Sequence, residues 1–194
     1  MEGYLGIFLG IGLSATCGFR VFVPLLGMSI ASASGHMTLT PDFQWLGTST
    51  AVTIFAIATV LEIGTYYIPW LDNLMDIIAS PASVVAGTII SASMVTDVSP
   101  VMQWSLAVIA GGGSAGIVQS GTVFLRGALT ATTGGLGNFL WSTIELITAI
   151  IATLLALVVP VVTTVLALCL CLWILRKLFR IFYKKNQKPG SNDE

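Results

Sequence analysis

Apolar residues fill long stretches of the chain, and the polar breaks between them predict its elements. Apolar runs over 4–31, 48–68, 81–95, 101–129 and 139–183 predict helices, since about 20 apolar residues match the hydrocarbon thickness of a bilayer. The last run is about twice that length. Splitting it at Pro160 gives a fifth and a sixth helix; one long kinked helix is the alternative, because no polar turn marks the split. Residues 32–47 read as a polar loop, Asp97–Pro100 as a turn and 130–138 as a flexible segment. Within the first run, Gly6 and Gly10 form a small-xxx-small pair that lets another helix approach. Pro24, four residues after Arg20, predicts a bend. Ala31-Ser32-Ala33 resembles a signal-peptidase site, but no Lys or Arg precedes the run, so it reads as a retained helix.

The stretch 61–88 carries a second level of pattern. Tyr66, Tyr67 and Trp70 follow an apolar run, where a helix meets the membrane surface. Leu71, Leu74, Met75 and Ile78 then share one helical face, with Asp72 and Asp76 on the other, which predicts a short interfacial elbow at 69–80. Pro81 would open the next helix at a first-turn position.

Composition sharpens the class. Hydrophobic residues make up 55% and charged residues 9% of the chain, and mean hydropathy is +0.93. A soluble domain carries about 25% charged residues, so this is an all-α polytopic transmembrane bundle of about six spans. It is read as one transmembrane domain over 1–183 and a polar tail over 184–194. Arg176, Lys177, Arg180, Lys184, Lys185 and Lys188 give a basic end, which the positive-inside rule makes cytoplasmic. Six spans put the N-terminus on that side as well, and the Lys/Arg-free 32–47 segment outside. Cys17, Cys169 and Cys171 lie in apolar runs without metal or redox spacing and read as packing residues.

A shift of 106 residues aligns Gly6 with Gly112, Gly10 with Gly116, Ile11 with Ile117, Ser14 with Ser120, Thr16 with Thr122 and Arg20 with Arg126. A shift of 83 aligns Glu62 with Glu145 and Thr65 with Thr148. Together these suggest repeats at 4–96 and 101–183. With three helices each, the second would be inserted upside down, an inverted 3+3 arrangement common among secondary transporters.

Arg20, Glu62, Arg126 and Glu145 fall inside spans, where each costs about 2.5–3.5 kcal/mol unless paired or wetted. They form a candidate polar core for an ion or small polar solute, and the glutamates are the expected partners of the arginines. The structural alternative is a pair of locking Arg–Glu bridges, or arginines that snorkel. Asp72, Asn73 and Asp76 are secondary candidates as oxygen ligands, although a solvated polar face accounts for them more simply. Thr132 and Asn138, in the second flexible segment, complete the candidates. His36 lies alone in a loop. Gly111–Gly116 lacks the Gly-Lys-Ser/Thr of a phosphate loop and reads as tight packing or local unwinding. No nucleophile–base pair or metal spacing is evident, so no enzyme and no cofactor are expected, and the identity of any metal stays open.

The segments CGFRVFVPLL (17–26), YYIPWLDNLMDIIASPASVVAGT (66–88), IAGGGSAGIVQ (109–119) and TATTGGLGN (130–138) resemble a family of small bacterial integral-membrane proteins catalogued only as a domain of unknown function. The resemblance implies a multi-pass protein of the bacterial inner membrane and carries no activity. From the residues themselves, the first expectation is a small transporter or channel. A non-transporting scaffold or assembly factor is the second, and a lipid-active enzyme at Asp72/Asp76 the third. Expected partners are the bilayer, an ion or small polar solute and a second copy of the chain; nucleic acid is not expected.

Overall fold

The structure is a computed structural model that describes residues 2–68, 71–96 and 98–186. Eight α-helices follow in order: α1 (Glu2–Thr16), α2 (Phe22–Ala33), α3 (Ser49–Thr65), α4 (Leu71–Met94), α5 (Pro100–Leu106), α6 (Gly113–Thr133), α7 (Leu136–Val158) and α8 (Pro160–Asn186). A 3-10 segment, Pro41–Gly47, precedes α3, and a π-helical turn, Ala107–Gly112, joins α5 to α6. Trp70, Asp97, the side chains of Asp72, Asn73, Lys184 and Lys185, and the tail from 187 onward lie outside the described residues.

Four helices are long and apolar enough to cross a membrane: Leu74–Met94, Pro100–Thr133, Leu136–Val158 and Pro160–Ile181. Pro41–Gly47 and Ser49–Thr65 pass the same test only together, bent by 62°, and count as a fifth if the pair is one broken span. Helices α1 and α2 have 15 and 12 residues, too short to span alone. The expected single helix over 4–31 is instead a re-entrant hairpin. Gly6 packs on Met94, and the Ser14 hydroxyl donates to Gly87 O at 2.6 Å, so α1 runs antiparallel to α4. Met28 of α2 is back beside Ser93, whose hydroxyl lies 3.5 Å from its sulfur. The chain therefore enters and leaves on one face, turning at 17–21. Among the described residues that gives four helices long enough to cross, up to five with the bent pair, and a hairpin beside them, where about six spans were expected.

The reversal lies at Gly18, not at Pro24. A Cβ on Gly18 would fall 2.5 Å from Val118 Cβ and 2.6 Å from Ala115 O. Pro24 sits in the first turn of α2, where its missing N–H breaks no bond.

The 32–47 segment is a packed cap, not an open loop. Leu39, Phe43 and Leu46 are buried, Thr40 N–H donates to Ser93 O at 3.0 Å, and the Ser29 hydroxyl donates to Leu46 O. His36 is exposed on this face. With five crossings, the start of α1 lies on this cap face and the end of α8 on the opposite, tail face, which corrects the expectation of both termini on one side.

Two further boundaries differ. Helix α4 is continuous from Leu71, so there is no separate elbow and Pro81 lies inside the helix. Hydroxyls on either side of it bond back to the helix: Ser80 donates to Asp76 O and Ser83 to Ser80 O. The 130–138 segment is no flexible stretch. Helix α6 runs to Thr133, and a two-glycine turn follows, with φ of 63° at Gly134 and 95° at Gly135. Pro160 does open α8. The α7–α8 pair is an antiparallel hairpin: Leu155 shares a cavity with Thr163, and Trp141 another with Lys177.

Helices α1 and α6 both run antiparallel to α4, as Gly6 against Met94 and Gly111 against Gly87 show. They are therefore parallel to each other, whereas an inverted repeat requires them to be opposed. The two copies also differ locally. Ser14 is fully buried while Ser120 is exposed, and Arg20 sits in a turn while Arg126 sits in a helix.

Close packing joins α1, α4 and α6 through small residues, the contact that apolar helices use in place of a hydrophobic driving force. A Cβ on Gly87 would lie 2.8 Å from Ala115 Cβ and 2.9 Å from Gly111 O. Gly87→Val should lower the thermal midpoint of the purified protein by overpacking, at a cost of about 1–3 kcal/mol. Gly127→Ala, which meets nothing within 4 Å, should leave the midpoint unchanged or raise it slightly. In a background free of native cysteines, Leu5→Cys and His36→Cys should label from one side of the membrane and Tyr183→Cys from the other. Labelling of Leu5→Cys from the Tyr183 side would contradict the hairpin.

Candidate functional site

Each helix brings a polar side chain to one place for a legible reason. Buried positions on α7 recur at 138, 142, 145, 149, 153 and 156, a helical stripe that turns Glu145 inward. On α6 the stripe 115, 118, 119, 122 and 126 does the same for Arg126. On α3, Thr59 and Glu62 share the inward face, while Ile57, Val60 and Leu61 are exposed on the outer one. Arg20 comes from the hairpin turn. These groups meet about 8–13 Å inside the tail-face ends of α4, α6 and α7, by helix rise.

The glutamates do different work. Glu62, 3% exposed, accepts from the Val21 N–H at 2.7 Å and the Phe22 N–H at 3.1 Å. It closes the N-terminus of α2, where buried amides have no intrahelical partner and the helix dipole favours an anion. Glu145, 1% exposed, receives the Arg126 guanidinium through Nε at 3.3 Å to Oε1 and through Nη2 to Oε2. Trp141 Nε1 donates to Oε1 at 2.7 Å. Arg20 Nη2 donates to the Ser142 carbonyl at 2.9 Å and lies 3.9 Å from Glu145 Oε2. Both arginines therefore approach Glu145, one across the bundle, and no 20–62 bridge equivalent to 126–145 is formed.

Three side chains join the four core candidates in this cluster. Asp76, expected on a solvated face, has Oδ1 3.5 Å from Arg126 Nη1. Tyr66, expected in an aromatic belt, is 5% exposed and carries both guanidiniums on its ring, at 3.9 Å for Arg20 and 4.1 Å for Arg126. Trp141 had not been singled out. A signal existed for two of them: Tyr66 lies four residues after Glu62 and Trp141 four before Glu145, each pair on one helical face.

The remaining candidates are peripheral. Thr132 is exposed and bonds its own helix at Ala128 O and Leu129 O. Asn138 is buried two turns from Glu145, and its Nδ2 donates to Thr130 Oγ1 at 2.9 Å. The side chains of Asp72 and Asn73 are outside the described residues. Among the described residues, no group of three or more His, Cys, Asp or Glu is arranged to hold a metal ion.

A cavity of about 200 Å³ lies beside the cluster, lined by Phe19, Leu125, Trp141, Trp173, Ile174 and Lys177 among others. Phe19 is the neighbour of Arg20, and Trp141 is the partner of Glu145, so the apolar wall and the charged cluster share these residues.

A re-entrant hairpin set among crossing helices, with buried charges at its turn, defines an integral membrane protein of the all-α class. The chain belongs to the family described as Domain of unknown function (DUF4126), whose profile matches residues 7–180. No curated protein and no solved structure matches it.

Removing one member of the Arg126–Glu145 pair strands the other charge. Arg126→Ala should cost about 3–5 kcal/mol of stability. Adding Glu145→Gln to it should recover part of that loss, read as a higher thermal midpoint for the double variant than for the single.

Proposed function

We propose that the protein is a small transporter or channel for an ion or small polar solute, which meets the chain at the charged cluster beneath the hairpin turn. The observation that carries this reading is the re-entrant hairpin. Irregular backbone at membrane depth is tolerated where it is enclosed by protein or lines a wet cavity, and transport proteins place half-helix ends there to hold solutes. The neighbouring cavity, which shares Trp141 with the cluster and has Lys177 in its wall, supports an approach from that side. Its apolar walls, Phe19 and Trp141, suit a constriction that opens by wetting.

Orientation follows from charge. Arg176, Lys177 and Arg180 lie on the tail-face half of α8, and the cap segment 34–48 carries no Lys or Arg. The tail face is therefore placed in the cytoplasm, in the bacterial inner membrane that the family resemblance implies. No catalytic step is part of this reading. The engagement of Asp76 by Arg126 weakens the case for a lipid-active enzyme at 72–76.

A scaffold or assembly role is the second reading, favoured by the mutual pairing of Arg126, Glu145, Asp76 and Trp141. Purified protein in liposomes separates the two. Transport predicts flux of potassium or of small anions above that of protein-free vesicles, reduced at least tenfold in Arg20→Gln. A folded, reconstituted protein without flux of either would leave the scaffold reading.

A further inference from the structure

The charged groups of the cluster are unequally satisfied, and the inequality has a sign. Glu62 accepts one backbone N–H on each oxygen. Glu145 accepts from Trp141 and Arg126 on Oε1 and from Arg126 on Oε2. Asp76 faces Arg126. The carboxylates are engaged. Arg20 is met only in part: it is 1% exposed, its Nη2 lies 3.9 Å from Glu145 Oε2, its one hydrogen bond runs from Nη2 to the Ser142 carbonyl, and Nε and Nη1 have no acceptor. The Ser142 hydroxyl, fully buried one residue from Trp141, is likewise without a partner.

We propose that the solute bound at this cluster is a small anion, held by Arg20 at the hairpin turn. The inference rests on reading the cluster as a solute site and names the class of solute. A guanidinium offers five N–H donors and no acceptor. A buried donor without a partner costs about 1–3 kcal/mol, and an oxyanion or halide meets that need. A metal cation does not, since Arg20 offers donors and no acceptor, and the neighbouring carboxylate oxygens are held by Arg126, Trp141 and the α2 amides. Tyr66 supports the Arg20 guanidinium from its ring face, 3.9 Å away, so the donors stay in place when Glu145 remains on Arg126. The approach has the same sign. Lys177 lines the cavity that Phe19 closes, with its ammonium 4.7 Å from the Trp173 ring, and Arg176 and Arg180 are exposed on the same helix. A basic mouth concentrates anions.

The test uses the full-length protein in detergent, with sodium chloride, nitrate, formate or bicarbonate titrated at constant ionic strength against sodium gluconate. At least one of these anions should raise the thermal midpoint saturably. Its apparent affinity should fall tenfold or more in Arg20→Gln and by less in Arg20→Lys, which keeps the charge but loses the planar fork. If no anion stabilises the wild type, or if both Arg20 variants respond as it does, the inference is overturned. The wild-type titration decides even if Arg20→Gln does not fold. Potassium flux in liposomes without any anion response would overturn the anion assignment and leave the transport reading standing. Anion binding lost with Arg20 but without flux of either ion would uphold the assignment and end the transport reading.

Discussion

The carboxylate of Glu62 on the amides of Val21 and Phe22 is the contact on which the architecture depends. Hydrocarbon offers no water to a backbone N–H, so a helix can begin inside a membrane only where some other group meets its first amides. Glu62 meets two of them, and the first turn of α2 forms at depth. The charge that performs this task must itself be tolerated. It is favoured by the positive end of the α2 dipole and lies beside a cluster that holds two arginines. Without the hairpin, Arg20 would have no reason to sit where Ser142, Glu145 and Tyr66 converge.

Much of the fold was readable in the apolar runs, because their length is set by the bilayer and their small residues by helix contact. The hairpin was not readable for the same reason. Two half-length apolar helices joined by a buried turn have the run length of one span, and Cys17-Gly18-Phe19-Arg20 is not a solvent turn. The turn at 17–21 needs glycine at position 18 because Val118 and the Ala115 carbonyl occupy the space of a Cβ, a fact of packing that no local signal carries. Pro24 drew attention as the stronger local breaker, yet proline is neutral in a first turn, where it is found.

The charged candidates divide along similar lines. Arg20, Glu62, Arg126 and Glu145 were visible because charge inside an apolar run demands a partner. Asp76 ranks only as a secondary candidate, since Leu71, Leu74, Met75 and Ile78 form an amphipathic pattern that suits a membrane surface as well as a partly lined helix. The deciding contact, Arg126 at 3.5 Å, comes from a helix fifty residues away. Tyr66 was lost to the aromatic-belt expectation, although its spacing from Glu62 marks an inward face.

The likeness between 6–20 and 112–126 has a packing origin. Gly6 and Gly10 bring α1 onto Met94 and Ser91 of α4; Gly112 and Gly116 bring α6 onto Thr88 and Val84 of the same helix. Both are antiparallel to α4, so both need small residues at the same spacing to approach one backbone. Each then continues toward the tail face to set a guanidinium on the ring of Tyr66. Two parallel helices answering one partner and ending on one ring acquire similar sequences without an axis of inversion. They part where their surroundings do: beyond Thr122, α6 stays helical to the glycine turn, while beyond Thr16 the chain meets Val118 and turns back. That divergence leaves Arg126 closed on Glu145 and Arg20 with donors to spare.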